Sequence, residues 1–285
     1  MQQASSETSI HSVRRYYEQN TRLFRVGGLG NRSYAVHRAL WDASVTTIDA
    51  ALQRVNALVL EEVQAFLEAS PTVRLHLIDL GCGVGGTLAY CARALPEARM
   101  AGVTLSMTQA RIARRILPRA RAAVITADFH DLPCAPCFHI AVAIEAFAHS
   151  HDPQRALEQA HAVLVPGGRL IICDDTIARL PSSESEARWL AAFRDGWRVP
   201  GVCTRAAMIA RARRAGFALR STRNLTGLLR LHRLPALLAG AARAGLRLVS
   251  RVHPFAQSIS GSIALQECLA RGIITYEWLV FEKTV

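Results

Sequence analysis

A glycine pattern near residue 80 is the clearest candidate for chemistry in this sequence. Gly81, Gly83 and Gly86 form G-x-G-x-x-G after a short apolar run, and Asp79 lies two residues before the first glycine. Such a loop between a strand and a helix lets a ligand approach the backbone and the helix N-terminus. The Asp79 carboxylate could accept a hydrogen bond from an ammonium or hydroxyl group there. Taken alone, the pattern also fits a dinucleotide site or a plain strand-to-helix turn.

The next apolar run argues against a nicotinamide cofactor. A dinucleotide site needs an acidic residue at the end of the second strand to hold the ribose. Here the run ends in Val-Thr-Leu-Ser at 103–106, and the nearby Glu97 precedes the strand. Any ribose would have to be held by uncharged polar groups of this segment.

Alternating apolar runs and helix-length segments must position these residues. The rhythm is typical of βαβ units and a parallel sheet covered on both faces. It predicts strands at 75–79, 100–104, 122–127, 140–145 and 169–174, then at 217–223 and 273–281. Pro166-Gly167-Gly168 predicts a turn before the fifth of them. The fold class is therefore α/β, with a doubly wound, mostly parallel, seven-stranded sheet.

Two segments stand outside this rhythm. Residues 1–70 have apolar positions near the helical period and predict an N-terminal helical cap, and 71–285 form the core. A basic, amphipathic helical insertion is predicted at about 226–268, before the last strand. It could give a weak contact with a membrane surface, which would suit a lipophilic substrate.

The charge of the chain is strongly positive and unevenly placed. The formal net charge is +12, and no acidic residue occurs between Asp195 and Glu267, where twelve arginines lie. Such a stretch suits a phosphorylated substrate, an acidic membrane or a nucleic acid, although a solvated arginine surface explains most of it. Because no zinc knuckle or aromatic-basic recognition motif is present, we expect no nucleic-acid partner.

Cysteine usage and the polar N-terminus favour a cytoplasmic protein. The seven cysteines are an odd number, and no secretory signal or long apolar run is present. Cys134 and Cys137 form C-x-x-C, but no second pair completes a zinc site. The sequence leaves a homo-oligomer open and assigns no metal ligand.

Three motifs together resemble the class I S-adenosylmethionine-dependent methyltransferases, which have a Rossmann-like fold. They are residues 79–86, the Asp128-Phe129 pair and residues 166–168, and the resemblance covers about 70–225. Residues 102–109 are similar to the variant found in sterol, tocopherol and cyclopropane-fatty-acid methyltransferases. The resemblance implies S-adenosylmethionine as cofactor. It implies that Asp79, Gly81 and Gly83 bind its methionine part, Thr104 and Gln109 the ribose, and Asp128 with Phe129 the adenine.

The N-terminal segments 16–21, 27–30 and 37–41 resemble bacterial terpenoid C-methyltransferases that act on isoprenyl diphosphates. This resemblance implies methylation of an alkene carbon of a five- to fifteen-carbon isoprenyl diphosphate, with Mg²⁺ on the diphosphate. Candidate substrate-binding residues are the aromatic Tyr16, Tyr17, Phe147, Phe193 and Trp197, and the polar Asn20, Arg22, Arg25 and Arg38.

Alkene methylation leaves a carbocation, so the protein would need a dry pocket and a base. Glu145 ends the fourth predicted strand, where this fold places groups beside the transferred methyl, and is the predicted base. His149, four residues later, is the alternative. Two other functions stay open: methylation of a neutral or aromatic small molecule such as a quinone, tocopherol-like compound or polyketide, and, less favoured, RNA methylation.

Overall fold

Seven strands form one sheet at the centre of the protein. The computed structural model describes residues 13–15, 18, 21, 34–231 and 254–284. Its strands are β1 (His76–Leu80), β2 (Arg99–Thr104), β3 (Ala122–Thr126), β4 (Phe138–Ile144), β5 (Leu164–Ile177), β6 (Phe217–Asn224) and β7 (Ile274–Lys283). Their spatial order is β3-β2-β1-β4-β5-β7-β6. Strands β1 to β5 pair in parallel, whereas β7 pairs antiparallel with both β5 and β6. The predicted doubly wound α/β fold is confirmed.

Helices cover the two faces of this sheet. They are α1 (Ile48–Ala69), α2 (Gly86–Ala94), α3 (Met107–Ile116), α4 (Pro153–Val163), α5 (Glu184–Trp197), α6 (Arg205–Arg214) and α7 (Pro254–Ala270). Short 3-10 turns lie at Phe147–His149 and Thr226–Leu228. Among the helices of the described ranges, none combines the length and the apolarity that a membrane crossing needs.

The strands are nearly uniform apolar runs because both sheet faces are buried. Leu77 and Ile140 face a cluster that also contains Val59 of α1, while Ile78 faces a second cluster on the other side of the sheet. Helix α1 therefore packs into the same core as β1. The order in which successive strands are added to the sheet reverses at β1, which lies between β2 and β4, and a crevice opens at the carboxyl ends of such neighbours.

One turn prediction is wrong. Pro166-Gly167-Gly168 lies inside β5, which begins at Leu164 directly after α4. Between the pairs Phe138–Leu164 and Ile140–Arg169 the register shifts, so β5 carries extra residues opposite β4. Gly167 absorbs the bulge with φ of +73°. The Pro-Gly-Gly segment does change the backbone direction, but it does so as a bulge within a continuous strand and not as a turn before it.

The structure describes the two ends of the predicted basic insertion. The 3-10 turn at Thr226–Leu228 begins it, and α7 at its far end packs along α5. Residues 232–253 lie outside the described residues. The start of β5 lies five residues before its predicted position, and all other strand ends agree with the prediction within three residues.

Candidate active site

A cavity of about 380 Å³ opens at the carboxyl ends of the parallel strands. The loops that follow β1, β2, β3 and β4 line it, together with the end of β5, the end of α5, one face of α7 and the segment 34–38. The seven predicted cofactor residues all contribute to its wall. The topology thus brings together cofactor residues that are up to 50 positions apart in sequence, from Asp79 to Phe129.

The glycine loop leaves room for a ligand. Gly81 has φ of +90°, and a Cβ atom there would lie 2.6 Å from the Cβ of Ala146. Gly83 has φ of +53°, and a Cβ atom there would have no described protein atom within 4 Å. Because Gly83 lines the cavity, a side chain at this position would project into the open space.

Asp79 is buried beside this loop and lacks a compensating charge. Its side chain accepts no hydrogen bond and forms no ion pair within the described part of the chain, and burial raises its pKa to about 7. A cationic group in the cavity would favour the ionised carboxylate. The site therefore suits a ligand that carries an ammonium or sulfonium group.

The end of β2 presents polar groups in place of an acid. Thr104 Oγ1 donates to Gln109 Oε1 at 2.8 Å, and both side chains are buried at the cavity wall. The Glu18 carboxylate, from the N-terminal segment, accepts from Ser106 Oγ at 3.0 Å and from the backbone N–H of Thr108 at 3.2 Å. Glu18 thereby accepts a hydrogen bond from a backbone N–H group in the first turn of α3, which has no partner within the helix. Sequence reasoning missed this acid because nothing local links position 18 to position 106.

Asp128 is held in one orientation by its neighbour. The backbone N–H of His130 donates to Asp128 Oδ1 at 2.9 Å, and the ring Nδ1 lies 2.5 Å from the same oxygen. His130 Nε2 lies 2.7 Å from the hydroxyl of Ser150. Burial would raise the pKa of Asp128, but the hydrogen bonds from His130 outweigh it and lower the pKa. Phe129 stacks on the buried Phe147 ring, with centroids 5.8 Å apart.

Glu145 lies where the sequence placed it, in a constrained conformation. Its φ is +50°, a left-handed value that is uncommon for a side chain of this kind. Its Oε1 accepts from the backbone N–H of Arg38 and from the hydroxyl of Tyr276, both at 2.9 Å. The carboxylate is therefore oriented by two elements, the segment 34–38 and β7.

The guanidinium group of Arg38 is committed to a carboxylate. Its Nη1 donates to Asp175 Oδ1 at 2.6 Å, and its Nη2 donates to Asp175 Oδ2. The group lies over the Tyr276 ring at 4.6 Å and over the Trp197 ring at 5.6 Å. Burial alone would lower the pKa of Arg38, but Asp175 and Glu145 raise it instead.

His149 is a neutral ring on the cavity wall. Its Nδ1 lies 3.0 Å from the carbonyl oxygen of Arg198, so this nitrogen carries the proton as a donor. Burial lowers the pKa of His149 below the ordinary value, although Arg198 and Glu145 act in the opposite sense. In this tautomer Nε2 is the basic nitrogen.

Asp174 and Asp175 lie close to the end of β5, line the cavity and were missed as site residues. Asp174 accepts from the backbone N–H groups of Ala148 and Asp175, each at 2.8 Å. Burial, with the charges of Asp175 and Glu145, raises the pKa of Asp174 to about 7. The signal was present: two adjacent acids close an apolar strand that ends at the crevice.

The predicted substrate residues divide into three groups. Trp197 and Arg38 line the cavity. Phe193 and Phe147 are fully buried in core clusters and do not line it, so their prediction as pocket residues is wrong. Both rings lie on the apolar side of their helical turns, and large apolar side chains in such positions are usually buried in the protein core. Tyr16, Tyr17, Asn20, Arg22 and Arg25 lie outside the described residues.

Comparison with known proteins agrees with this geometry. Residues 78–172 match the family described as a methyltransferase domain. The chain is 38% identical over 110 residues to the O-methyltransferase cnsE of Penicillium expansum, covering 37% of this chain and 40% of that protein. It is 30% identical over 167 residues to an O-methyltransferase of Pyrenophora dematioidea, covering 55% and 60%. The chain thus spans 40 to 60% of the length of these curated relatives.

A structural likeness extends over nearly the whole chain. Geranyl diphosphate C-methyltransferase from Streptomyces coelicolor A3(2) superposes with a TM-score of 0.69, covering 97% of this chain and 98% of that one. The sequence identity is 18%, so this likeness concerns the fold. The match of residues 78–172 to a methyltransferase-domain family confirms the resemblance to class I S-adenosylmethionine-dependent methyltransferases.

Proposed function

We propose that the chain transfers a methyl group from S-adenosylmethionine, which binds where β1, β2 and β3 end. The open space beside Gly83 and the uncompensated carboxylate of Asp79 support this proposal. Thr104 and Gln109 would hold the ribose, and Asp128 with Phe129 the adenine. When bound, this cofactor supplies an electrophilic methyl group on a sulfonium.

We propose further that the methyl acceptor is a hydroxyl group of an uncharged small molecule. The charge of the cavity wall carries this proposal. Three carboxyl residues, Glu145, Asp174 and Asp175, line the described part of the cavity in addition to the proposed cofactor residues Asp79 and Asp128, against a single arginine and no lysine. That arginine, Arg38, is already paired with Asp175. A diphosphate would meet charges of its own sign, and such repulsion is poorly screened in a buried site.

His149 is the base that this chemistry needs. A hydroxyl group loses its proton as its oxygen bonds to the methyl carbon, and a positioned base accelerates that step. His149 is neutral because burial lowers its pKa, and its basic Nε2 can take the proton. The carboxylate of Glu145 would stabilise the resulting imidazolium, since its charge already raises the pKa of the ring. The curated relatives named above are O-methyltransferases, which supports transfer to oxygen.

Methylation of an alkene carbon of an isoprenyl diphosphate is the second candidate. Its support is the fold shared with geranyl diphosphate C-methyltransferase and the grouping of Glu145 with the aromatic rings of Tyr276 and Trp197. Such a grouping could stabilise a carbocation. The diphosphate would then depend on Mg²⁺ and on Asn20, Arg22 and Arg25. The described ranges hold no cluster of three or more His, Cys, Asp or Glu side chains suited to a metal ion.

One incubation panel separates the two candidates. The purified chain is incubated with methyl-labelled S-adenosylmethionine and Mg²⁺, and with hydroquinone, 4-hydroxyacetophenone, geraniol or geranyl diphosphate. We expect the label in the methyl ether of an uncharged acceptor, identified by mass spectrometry. Label found only in a C-methylated geranyl diphosphate would refute the uncharged acceptor and leave the second candidate.

A further inference from the structure

Ser258 presents an unsatisfied hydroxyl group to the cavity. The residue lies in the first half of α7, is 4% exposed and lines the cavity wall. Its Oγ has no hydrogen-bond partner among the described residues. A buried hydroxyl without a partner costs roughly 1–3 kcal/mol, so it is normally paired unless a ligand completes it.

The neighbouring Ser262 forms the hydrogen bonds that the hydroxyl group of Ser258 lacks. A serine inside a helix usually donates back to the carbonyl oxygen four residues earlier. Ser262 Oγ does so, donating to the carbonyl oxygen of Ser258 at 2.9 Å, and it also accepts from Trp197 Nε1 at 3.2 Å. The two serines lie one helical turn apart on the same face of α7, but only Ser262 is satisfied by the protein.

The wall that carries Ser258 is fixed in place. Helices α5 and α7 meet through Gly196 and Gly261, and a Cβ atom on Gly196 would lie 2.5 Å from the Cα of Gly261. Trp197 follows directly, with its ring 5.6 Å from the guanidinium of Arg38. Ser258 is thus linked through Ser262 and Trp197 to the group around Glu145, on the acceptor side of the cavity.

We infer that Ser258 Oγ is an anchor for the acceptor and binds a carbonyl or hydroxyl group distant from the atom that is methylated. The inference rests on the proposed function, because an uncharged acceptor is the molecule that would bring such a group to this wall. A site built to bind a polar group discriminates strongly against analogues that lack it. The acceptor class is therefore an apolar molecule with at least two oxygen functions, one methylated and one bound by Ser258.

The first test needs no acceptor. Thermal unfolding is measured for Ser258→Ala and for the matched control Ser262→Ala, which shares the gain in helix propensity but loses two hydrogen bonds. We expect Ser258→Ala to raise the melting temperature by about 2–4 °C and Ser262→Ala to lower it. A Ser258→Ala protein no more stable than Ser262→Ala would show that the hydroxyl is already satisfied, and would overturn the inference.

The second test uses a matched pair of uncharged phenols. Calorimetry on the protein saturated with S-adenosylhomocysteine compares 4-hydroxyacetophenone, which has a carbonyl group, with 4-ethylphenol, which does not. Ser258→Ala should weaken binding of the ketone about tenfold and leave 4-ethylphenol unchanged, while Ser258→Thr keeps the hydroxyl and the ketone affinity. Equal losses for both phenols, no loss for either, or no binding of the ketone to the unaltered protein would refute the anchor.

The two proposals fail separately. If uncharged acceptors are methylated but the Ser258→Ala results are negative, the anchor is wrong and the proposed function stands. If the stability result is as expected but only geranyl diphosphate is methylated, the acceptor class is wrong.

Discussion

Arg38 donates from both terminal guanidinium nitrogens to the two carboxylate oxygens of Asp175. The pair joins the segment before α1 to the end of β5, and both side chains are largely buried, at 14% and 3% exposure. Arg38 also fixes Glu145 through its backbone N–H. The residue that the sequence suggested for diphosphate binding is therefore part of the cavity wall itself.

Replacing Arg38 by methionine should destabilise the protein by about 3–5 kcal/mol, because the Asp175 carboxylate would stay buried without its partner. Urea unfolding of Arg38→Met measures this loss, and Arg38→Met combined with Asp175→Asn should recover much of it. An Arg38→Met protein of unchanged stability that lost only its affinity for geranyl diphosphate would show instead that Arg38 binds the anion.

Affinity for S-adenosylhomocysteine should depend on pH through Asp79. Burial raises the pKa of this carboxyl to about 7, so below that pH it is protonated and neutral in the ligand-free protein. The ligand's ammonium group favours the ionised form, and binding must therefore release a proton there. We expect affinity to rise roughly tenfold per pH unit up to about pH 7 and then to level off.

Calorimetry between pH 5.5 and about 8.5 measures that dependence, with Asp79→Asn as the control. The variant should bind more weakly and lose the pH dependence. A pH-independent affinity in the unaltered protein would mean that Asp79 does not face the cation.

His130 should control recognition of the adenine through Asp128. Both donors of His130 reach Asp128 Oδ1, which leaves Oδ2 to accept from an amino group. His130→Ala should weaken S-adenosylhomocysteine by about tenfold, since an oriented charge-assisted hydrogen bond is lost. Binding of S-inosylhomocysteine, which lacks the amino group, should change little.

Asp128→Asn is the reference for that measurement. If Asp128→Asn still discriminates between the two nucleosides, adenine is bound elsewhere. If His130→Ala keeps the preference of the unaltered protein for S-adenosylhomocysteine over S-inosylhomocysteine, and Asp128→Asn loses it, Asp128 does not need His130 for its orientation.

His149 should set the acid limb of the methylation rate. Burial lowers the pKa of His149 below the ordinary 6.5, so the neutral, basic ring predominates at neutral pH. The turnover rate with an uncharged acceptor should rise with pH, and the midpoint of this rise should lie below that ordinary value. His149→Ala should reduce turnover by about 10²–10⁴-fold while cofactor affinity persists. Glu145→Gln should reduce turnover less than His149→Ala does. A larger loss of turnover in Glu145→Gln would indicate that Glu145 is the base.

The sequence predicted the sheet and the cofactor loop because both depend on local patterns. Apolar runs of strand length mark β1 to β5, and the glycines between Asp79 and Gly86 mark the turn. The bulge in β5 was not predictable, since it depends on how β5 pairs with β4.

The acceptor wall depends on distant pairings and was largely missed. Tyr276 reaches Glu145 because β7 runs antiparallel to β5, where Tyr276 is paired with Asp175. Ser258 reaches the cavity because two glycines bring α7 against α5. No pattern within a short window of sequence indicates that these residues meet.

The charge of the preferred acceptor is the central claim, and geraniol and geranyl diphosphate test it as a pair that differs only in the diphosphate. Calorimetry on the protein saturated with S-adenosylhomocysteine, in the presence of Mg²⁺, gives both affinities. We predict that geraniol binds at least about tenfold more tightly, because the cavity wall is acidic and Arg38 is already paired. Tighter binding of geranyl diphosphate than of geraniol would contradict the account.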